Sequence, residues 1–173
     1  QDAAPTFDAR RDARLRWYRF FLCNRPTRPA IASRYLTHVR GKLDLVRMEQ
    51  AAGILSGKHD FQAFRAITCT ATRTKLTLLP IEIKALPDNV IQIDYKCRSF
   101  LHNMVRILTG ALVAAGRGKL SADEIQTMLE TGERRQEAVT IPPNGLFLYG
   151  VFYKGEVPEQ WQQAVKDEPR QGA

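Results

Sequence analysis

The segment Ser99–Gly118, SFLHNMVRILTGALVAAGRG, constrains the fold of this chain more than any other. It predicts a helix whose apolar side chains cover most of the circumference: Phe100, Leu101, Met104, Val105, Ile107, Leu108, Ala111, Leu112 and Ala115. A helix with this pattern is buried. One polar stripe interrupts it, formed by His102, Asn103 and Arg106 with Gly110 one turn further on. Because a buried arginine needs an acid or a phosphate and the segment has no Asp or Glu, we expect the partner of Arg106 to come from elsewhere.

The chain has 173 residues and a net charge of +8, and the excess of positive charge is concentrated near its beginning. Its length fits one domain, or one large half of a bigger protein. Residues 1–42 hold ten basic and three acidic residues, and nine of the ten are arginine. A local basic field attracts a polyanion, and guanidinium groups suit bidentate contacts with phosphate. A solvated basic face is the alternative interpretation.

The three cysteines, Cys23, Cys69 and Cys97, are odd in number and far apart, without a C-x-x-C pair or a histidine at ligand spacing. This pattern argues against a disulfide framework and against a zinc site, and it favours a reducing, cytoplasmic setting. No apolar run is long enough to span a bilayer, and the polar beginning of the chain does not have the pattern of a signal peptide.

Common catalytic motifs are absent from the sequence, including the Walker loop, H-E-x-x-H, G-x-S-x-G and the dinucleotide fingerprint. The three histidines, His38, His59 and His102, are scattered, and we expect them to be structural rather than catalytic bases. The sequence therefore offers no catalytic set of an ordinary kind.

Hydrophobic periodicity and capping residues predict an α+β fold, with a largely antiparallel sheet and helices packed on one face. The first half of the chain is predicted to contain a strand at Arg14–Asn24 that borders a cleft, a short strand near Ser33–Val39, a helix at Leu45–Leu55 and a loop or short turn at Lys58–Arg65. Asp44 caps that helix, and its predicted buried residues include Val46, Ala52 and Leu55. The second half is predicted to contain a hairpin of Thr72–Ala85 and Asn89–Cys97, a helix from about Phe100, a helix to Thr131 that a Ser121–Glu124 capping box opens, and a strand at Gly145–Tyr153. The last strand is apolar and aromatic on both faces and is predicted to lie enclosed, in the middle of the structure. We expect a domain over residues 1–153 and a polar, loose tail over 154–173.

Four segments carry a resemblance to a known family. In chain order they are R-W-Y-R-F-F-L-C-N-R-P, H-D-F-x-x-F, F-L-H-N-M-V-R-x-x-x-G-x-L and G-L-F-L. Together they resemble the TruA family of tRNA pseudouridine synthases over Phe7 to Tyr153, and the third segment is the most specific. The resemblance implies isomerisation of uridine to pseudouridine at nucleotides 38 to 40 of the tRNA anticodon stem-loop. It also implies a homodimer that needs neither cofactor nor metal.

The resemblance assigns roles to three residues of this sequence. Tyr18 matches the tyrosine that packs on the target base, Arg106 matches the arginine that pairs with the nucleophilic Asp, and Leu146 matches an apolar residue that lines the base pocket. A flipped pyrimidine needs an aromatic wall, and a buried Asp needs a cation to keep it ionised. Phe20 departs from the family, which usually has a second tyrosine there.

The nucleophile of the family lies in a G-R-T-D motif, and this motif is absent from the sequence. None of the acids Asp8, Asp12, Asp60 and Asp94 matches it. By resemblance, this chain is the C-terminal half of such an enzyme, and we expect it to be inactive without the N-terminal half that supplies the nucleophile.

Two other functions stay open from the sequence. The chain could be an RNA-binding α+β module without catalysis, whose basic, aromatic strand stacks on exposed bases. It could also be a self-association domain whose apolar last strand and helix form a dimer face. Under either RNA-related hypothesis the predicted RNA-binding residues are Arg10, Arg14, Arg16, Arg25 and Arg28.

Overall fold

The computed structural model describes residues 6–166, and these form an α+β fold with seven strands and four α-helices. The elements are β1 (Leu15–Cys23), β2 (Thr37–His38), α1 (Leu45–Leu55), β3 (Gly57–Asp60), β4 (Lys75–Leu78), β5 (Glu82–Leu86), β6 (Val90–Cys97), α2 (Met104–Gly116), α3 (Ala122–Thr131), β7 (Leu146–Phe152) and α4 (Glu159–Lys166), with short 3-10 helices at Gln62–Phe64 and Pro87–Asn89. None of the helices in residues 6–166 has the length and apolarity that crossing a bilayer requires.

Strand β1 organises the sheet. On one side it pairs with β6 in antiparallel register from Arg16 to Cys23. On the other side it pairs with β7 over its first part and with β2 at its last two residues. Beyond β6 follow β5, β4 and β3. The β1–β2 contact is the one parallel pairing in the described sheet, so the prediction of a largely antiparallel sheet is confirmed.

Helices α1, α2 and α3 cover one face of the sheet and form the main core with it. Alternate residues of β6 point into this core, as the sequence predicts: Ile91, Ile93, Tyr95 and Cys97. Helix α2 is buried along nearly its whole length. The all-round apolar pattern of this segment therefore reflects a helix enclosed by α1, the sheet and the loops around it.

The region after Lys154 differs from the predicted loose tail. It contains α4, and the ring of Trp161 packs against Trp17 and Phe152, with centroids 5.6 and 6.2 Å apart. Leu15 and Val157 complete this small second core on the sheet face opposite α1–α3. Aromatic burial explains why a segment of polar composition is ordered here. Residues 167–173 of the predicted tail lie outside the described residues.

Local signals at the helix ends are confirmed. The Asp44 carboxylate accepts hydrogen bonds from the backbone N–H groups of Val46 and Arg47, and Ser121 and Glu124 form a capping box. The prediction that Val46 is buried is wrong, because this first-turn side chain is 62% exposed. The buried stripe of α1 is instead formed by Met48, Ala51, Ala52 and Leu55.

Three predicted boundaries change in the structure. Helix α2 begins at Met104 rather than near Phe100, because Asn103 adopts a left-handed conformation with φ of 60°. The predicted strand Thr72–Ala85 is split into β4 and β5 around Pro80, which has no N–H to donate to a ladder. The predicted loop Lys58–Arg65 contributes β3 and then a 3-10 turn.

The prediction that the last strand is enclosed, in the middle of the structure, is wrong. Strand β7 pairs with β1 on one side, and within residues 6–166 no strand covers its other side. Phe147, Leu148 and Tyr149 are 36%, 53% and 55% exposed. The apolar pattern of β7 therefore produces an exposed edge with large side chains.

Candidate active site

A cavity of about 280 Å³ lies between β1, β7 and the beginning of α2. It brings together the three residues to which the resemblance assigns roles, Tyr18, Arg106 and Leu146. The rest of its wall comes from α2 and from the turn before it, including Phe100 and His102. Residues distant in sequence thus meet around one space, on the face of the sheet that carries α1–α3.

Tyr18 forms an aromatic wall of this cavity. Alternation along β1 directs its side chain to the helix-covered face, where it packs against the main core. The Phe100 ring meets it edge to face, with the centroids 5.1 Å apart and the planes at 89°. Phe100, expected in the helix, precedes it and holds the tyrosine ring in place. The ring lines the cavity and can contact a planar ligand.

Leu146 is positioned by the glycine that precedes it. Gly145 has φ of +90°, and a Cβ atom there would lie 2.3 Å from the carbonyl oxygen of Phe21. The Phe21 N–H donates to the Gly145 carbonyl at 2.8 Å, so the chain is pressed against β1 as β7 begins. Only glycine permits both the conformation and the approach. The glycine of the G-L-F-L segment therefore allows β7 to begin directly at the cavity wall.

Arg106 is held at the cavity by neutral acceptors. Its Nε donates to the carbonyl oxygen of Ile141 at 2.7 Å, and its Nη1 donates to Oδ1 of Asn103 at 2.9 Å. The side chain is half-buried, and no carboxylate of residues 6–166 forms an ion pair with it. The guanidinium is thus fixed in direction and has no acidic counter-charge within residues 6–166.

Gly110 explains how the Ile141 carbonyl reaches Arg106. It lies one turn after Arg106 on the same side of α2. A Cβ atom at Gly110 would lie 1.9 Å from the carbonyl oxygen of Val139. The segment after α3 can pass this close to the helix only because position 110 has no side chain. The arginine and the trailing glycine of the F-L-H-N-M-V-R-x-x-x-G segment therefore act together.

The turn before α2 completes the cavity with unusual backbone geometry. Asn103 is in the left-handed region, which asparagine tolerates better than most residues, and its side chain is engaged by Arg106. The ring of His102 lies within 3.4 Å of the Thr68 hydroxyl through Nδ1. The rings of His38 and His59 contact the backbone carbonyls of Arg25 and Ser56 at 2.8 and 2.9 Å.

The opposite face of the sheet holds a polar network that the sequence analysis did not find. The Asp94 carboxylate, 1% exposed as a side chain, accepts hydrogen bonds from Trp17, from Gln92 and twice from Arg19, at 2.7 to 3.2 Å. Burial raises the pKa of Asp94, but these donors outweigh it and hold the pKa below its usual value. The guanidinium of Arg19 also lies 3.9 Å from the ring centroid of Tyr149. Asp94 therefore has a full set of partners away from the cavity.

The signal for this network was present in the sequence, but it required the strand register. Arg19 and Asp94 face each other across β1 and β6. A charged residue in each of two aromatic strands predicts a pair only when the alignment of the strands is known. The carbonyl of Ile141, by contrast, left no side-chain signal at all.

The predicted RNA-binding arginines fall into two groups. Arg10, Arg14 and Arg16 lie at the beginning of β1, and Arg25 and Arg28 follow its end. Nine residues of strand, roughly 30 Å at the rise of an extended chain, separate the groups. The structure therefore does not gather the five into one patch.

Two of these arginines are engaged by other parts of the chain, and a third is not. The guanidinium of Arg16 donates to the carbonyl oxygens of Arg98 and Arg10. Arg25 donates to the carbonyl of Asp88 at 2.8 Å and pairs with its carboxylate at 3.5 Å. Arg28 is exposed and has no hydrogen bond or ion pair within residues 6–166.

Chemically, the cavity combines an aromatic ring, an aliphatic side chain and a fixed cation. A planar heterocycle fits between Tyr18 and Leu146, and a carboxylate fits Arg106. Within residues 6–166, no group of three His, Cys, Asp or Glu side chains is arranged to bind a metal ion.

Comparison with known proteins identifies the family of this chain. The profile of the tRNA pseudouridine synthase family matches residues 51–154. The chain is 42% identical over 147 residues to tRNA pseudouridine synthase A of Syntrophotalea carbinolica, covering 85% of this chain and 58% of that protein. It is 40% identical over 152 residues to the protein of the same name from Geotalea uraniireducens, covering 88% and 62%. It is also 40% identical over 147 residues to tRNA pseudouridine synthase A of Pseudoalteromonas atlantica, and the match covers 85% of this chain and 56% of that protein.

This chain therefore spans about three fifths of the length of the curated relatives it matches. The family profile covers more than half of the chain, and it includes Arg106 and Leu146. The α+β fold and the shared cavity are in keeping with the resemblance from which these residues were predicted. On these grounds the chain belongs to the TruA family of tRNA pseudouridine synthases.

Proposed function

We propose that this chain is one part of an enzyme that converts uridine to pseudouridine at nucleotides 38 to 40 of the tRNA anticodon stem-loop. In this reaction the bond between the ribose C1′ and N1 of uracil breaks, and a bond between C1′ and C5 forms. The proton on C5 is released and N1 gains one. The chain contributes the cavity that holds the base, and the nucleophilic carboxylate comes from the portion of the relatives that the chain does not cover.

One observation supports this proposal most strongly, namely that Arg106 lines the cavity without an acidic partner in the described chain. Its guanidinium lines the cavity, is aimed by Ile141 and Asn103, and has no carboxylate partner within residues 6–166. A cation fixed in this way binds an incoming carboxylate with little loss of side-chain entropy and favours its ionised form. The proposal gives Arg106 the role of orienting the nucleophilic Asp.

Tyr18 and Leu146 are proposed to hold the target base. The edge-to-face contact with Phe100 keeps the Tyr18 ring from rotating freely, so a flipped uracil meets a fixed surface. Leu146 closes the other side of the cavity without a polar group that could compete for the base. These are substrate-binding roles, separate from the electrostatic role of Arg106.

The test uses the chain together with the portion of the relatives that it lacks, on one polypeptide. Transcribed tRNA labelled with tritium at C5 of uridine releases the label when pseudouridine forms. We expect release by the complete protein and none by the 173-residue chain alone. We expect Arg106→Gln to lower turnover by about 10²- to 10³-fold, the range for removing one preorganised electrostatic contact, with tRNA affinity nearly unchanged.

Arg134→Gln is the matched control. Arg134 also donates to neutral acceptors, the Ala138 carbonyl at 2.6 Å and the Thr140 hydroxyl at 3.0 Å, but it does not line the cavity. Equal turnover of the two variants would contradict the role of Arg106. Binding of tRNA by the complete protein without tritium release would instead favour the non-catalytic RNA-binding module.

The proposed assembly is a homodimer acting in the cytoplasm. The exposed edge of β7, with Phe147, Leu148 and Tyr149, offers a surface on which association could bury apolar area. Light scattering of the complete protein should give twice the mass of one chain, and a monomeric mass at assay concentrations would contradict the dimer.

A further inference from the structure

A second cavity, of about 460 Å³, has a strongly basic wall. Arg28 comes from the loop after β1, Arg40 from the segment between β2 and α1, and Arg117 from the end of α2. All three are exposed side chains that converge from separate parts of the sequence. Neither Arg40 nor Arg117 was among the residues that the sequence analysis predicted to bind RNA.

The three arginines lack compensating acids. No carboxylate of residues 6–166 forms an ion pair with any of them. Nη2 of Arg117 donates to the carbonyl oxygen of Arg40 at 2.8 Å, which holds two of the three segments together. The negative end of α2 accounts for a cation at Arg117, but it does not account for Arg28 or Arg40. Convergent like charges without acids form a site for an anion.

The position of this basic pocket relates it to the candidate active site. Pro142 and Asn144 belong to its wall, and the hydroxyl of Thr37 donates to both of their carbonyl oxygens. The same short segment provides the carbonyl of Ile141 to Arg106 and continues into Leu146 at the first cavity. The two cavities therefore lie on either side of one turn, residues 141–146.

We propose that the basic pocket binds a phosphodiester group of the RNA strand that continues from the nucleotide held in the candidate active site. This inference rests on the proposed function, because it takes the occupant of the first cavity to be a nucleotide of RNA. In this proposal the strand leaves that cavity across the turn and continues past Arg28, Arg40 and Arg117. Arginine is suited to this contact, since its planar fork can bind two phosphate oxygens.

The test measures binding rather than turnover. A fluorescently labelled transcript of a tRNA anticodon stem-loop is titrated with the 173-residue chain over a series of KCl concentrations. We expect the double variant Arg40→Gln/Arg117→Gln to bind at least tenfold more weakly, because it removes two charge-assisted contacts to phosphate. The slope of log affinity against log salt should become shallower by about 1 for each phosphate that the variant no longer binds.

Two further variants make the result specific. Arg28→Gln removes a side chain without a hydrogen bond in residues 6–166, so a loss of affinity in this variant is not a folding defect. Lys58→Gln is the control, because this exposed lysine lies on β3, at the opposite end of the sheet from β2. Unchanged affinity and salt slope in both pocket variants, or an equal loss in Lys58→Gln, would overturn the proposal.

The outcome separates this inference from the proposed function. Tritium release by the complete protein, with pocket variants that bind RNA normally, would refute the basic pocket and leave the enzyme assignment intact. Weakened RNA binding in the pocket variants, with no tritium release by the complete protein, would support the pocket and refute the enzyme assignment.

Discussion

Two arginines on opposite faces of the sheet differ in the groups that accept their hydrogen bonds. Arg19, on the face away from α1–α3, pairs with Asp94 through two hydrogen bonds at 2.8 and 3.2 Å. Arg106, at the cavity on the other face, donates to a backbone carbonyl and an asparagine. The Arg19 side chain is 17% exposed and that of Arg106 is half-buried, and both are fixed in direction. They differ in whether the described chain supplies the negative charge.

This difference separates a structural cation from a functional one. Trp17 and Gln92 also donate to Asp94, so the two oxygens of this carboxylate accept four hydrogen bonds from the chain itself. Around Arg106 the acceptors are neutral. They fix the direction of the guanidinium, but they do not balance its positive charge. A basic residue in a strand or helix is thus not evidence for binding until its partners are known.

Asp94→Asn should give the largest change in stability. The amide cannot accept what the carboxylate accepts, and it leaves Arg19 beside an amide group, so we expect a loss of about 3–5 kcal/mol in the free energy of unfolding. Arg106→Gln removes hydrogen bonds to neutral acceptors and should lose only about 1–2 kcal/mol. Urea unfolding followed by circular dichroism measures both. Equal losses of unfolding free energy in the two variants would contradict the distinction between a structural ion pair at Arg19 and an unpaired cation at Arg106.

Gly110→Ala should have the next largest effect. The new Cβ would meet the Val139 carbonyl at 1.9 Å, so the segment that holds Arg106 must move, and overpacking of this kind costs about 1–3 kcal/mol. Gly53→Ala in α1 is the matched control, because nothing lies within 4 Å of its added Cβ. There, alanine should stabilise the helix by up to about 1 kcal/mol. The same sign of change in both variants would contradict the close approach at Gly110.

The smallest predicted effect is a dependence on pH. Because the pKa of Asp94 is lower in the folded chain than in the unfolded one, its contribution to stability is present above the unfolded value, about 3.9, and is lost as the pH falls through the lower folded value. The difference in unfolding free energy between the wild-type chain and Asp94→Asn should therefore be constant from pH 7 to pH 5 and shrink in stronger acid. A difference that stays constant down to pH 2 would exclude ionisation of Asp94 as its source.

Sequence patterns predicted the parts of the fold that depend on local chemistry. The buried helix α2, the cap at Asp44, the capping box at Ser121 and the alternation of β6 each follow from residues close together in the chain. The cavity was predicted only by resemblance, because Tyr18 and Leu146 meet through the pairing of β1 with β7. The residue pattern of neither strand predicts which strand it pairs with.

The failures have two physical origins. Pattern analysis took the apolar residues of β7 as a sign of burial, but the strand lies at an edge, where Phe147 and Tyr149 pack on aromatic rings of β1 while staying exposed. It also took the composition after Lys154 as a sign of disorder, although one ring, Trp161, is enough to hold α4 against the sheet. Composition averages over a segment, whereas a single large contact can decide its state.

The central place of β1 has a consequence for how the chain is made. This strand ends at Cys23, whereas its main neighbours β6 and β7 begin only at Val90 and Leu146. As this chain is synthesised, an aromatic strand therefore stays without its main neighbours until β6 and β7 have been made, and such delayed long-range pairing slows folding and favours aggregation. Arg14, Arg16 and Arg19 give every nascent copy of this strand the same charge, so that the copies repel one another until their proper neighbours have been synthesised.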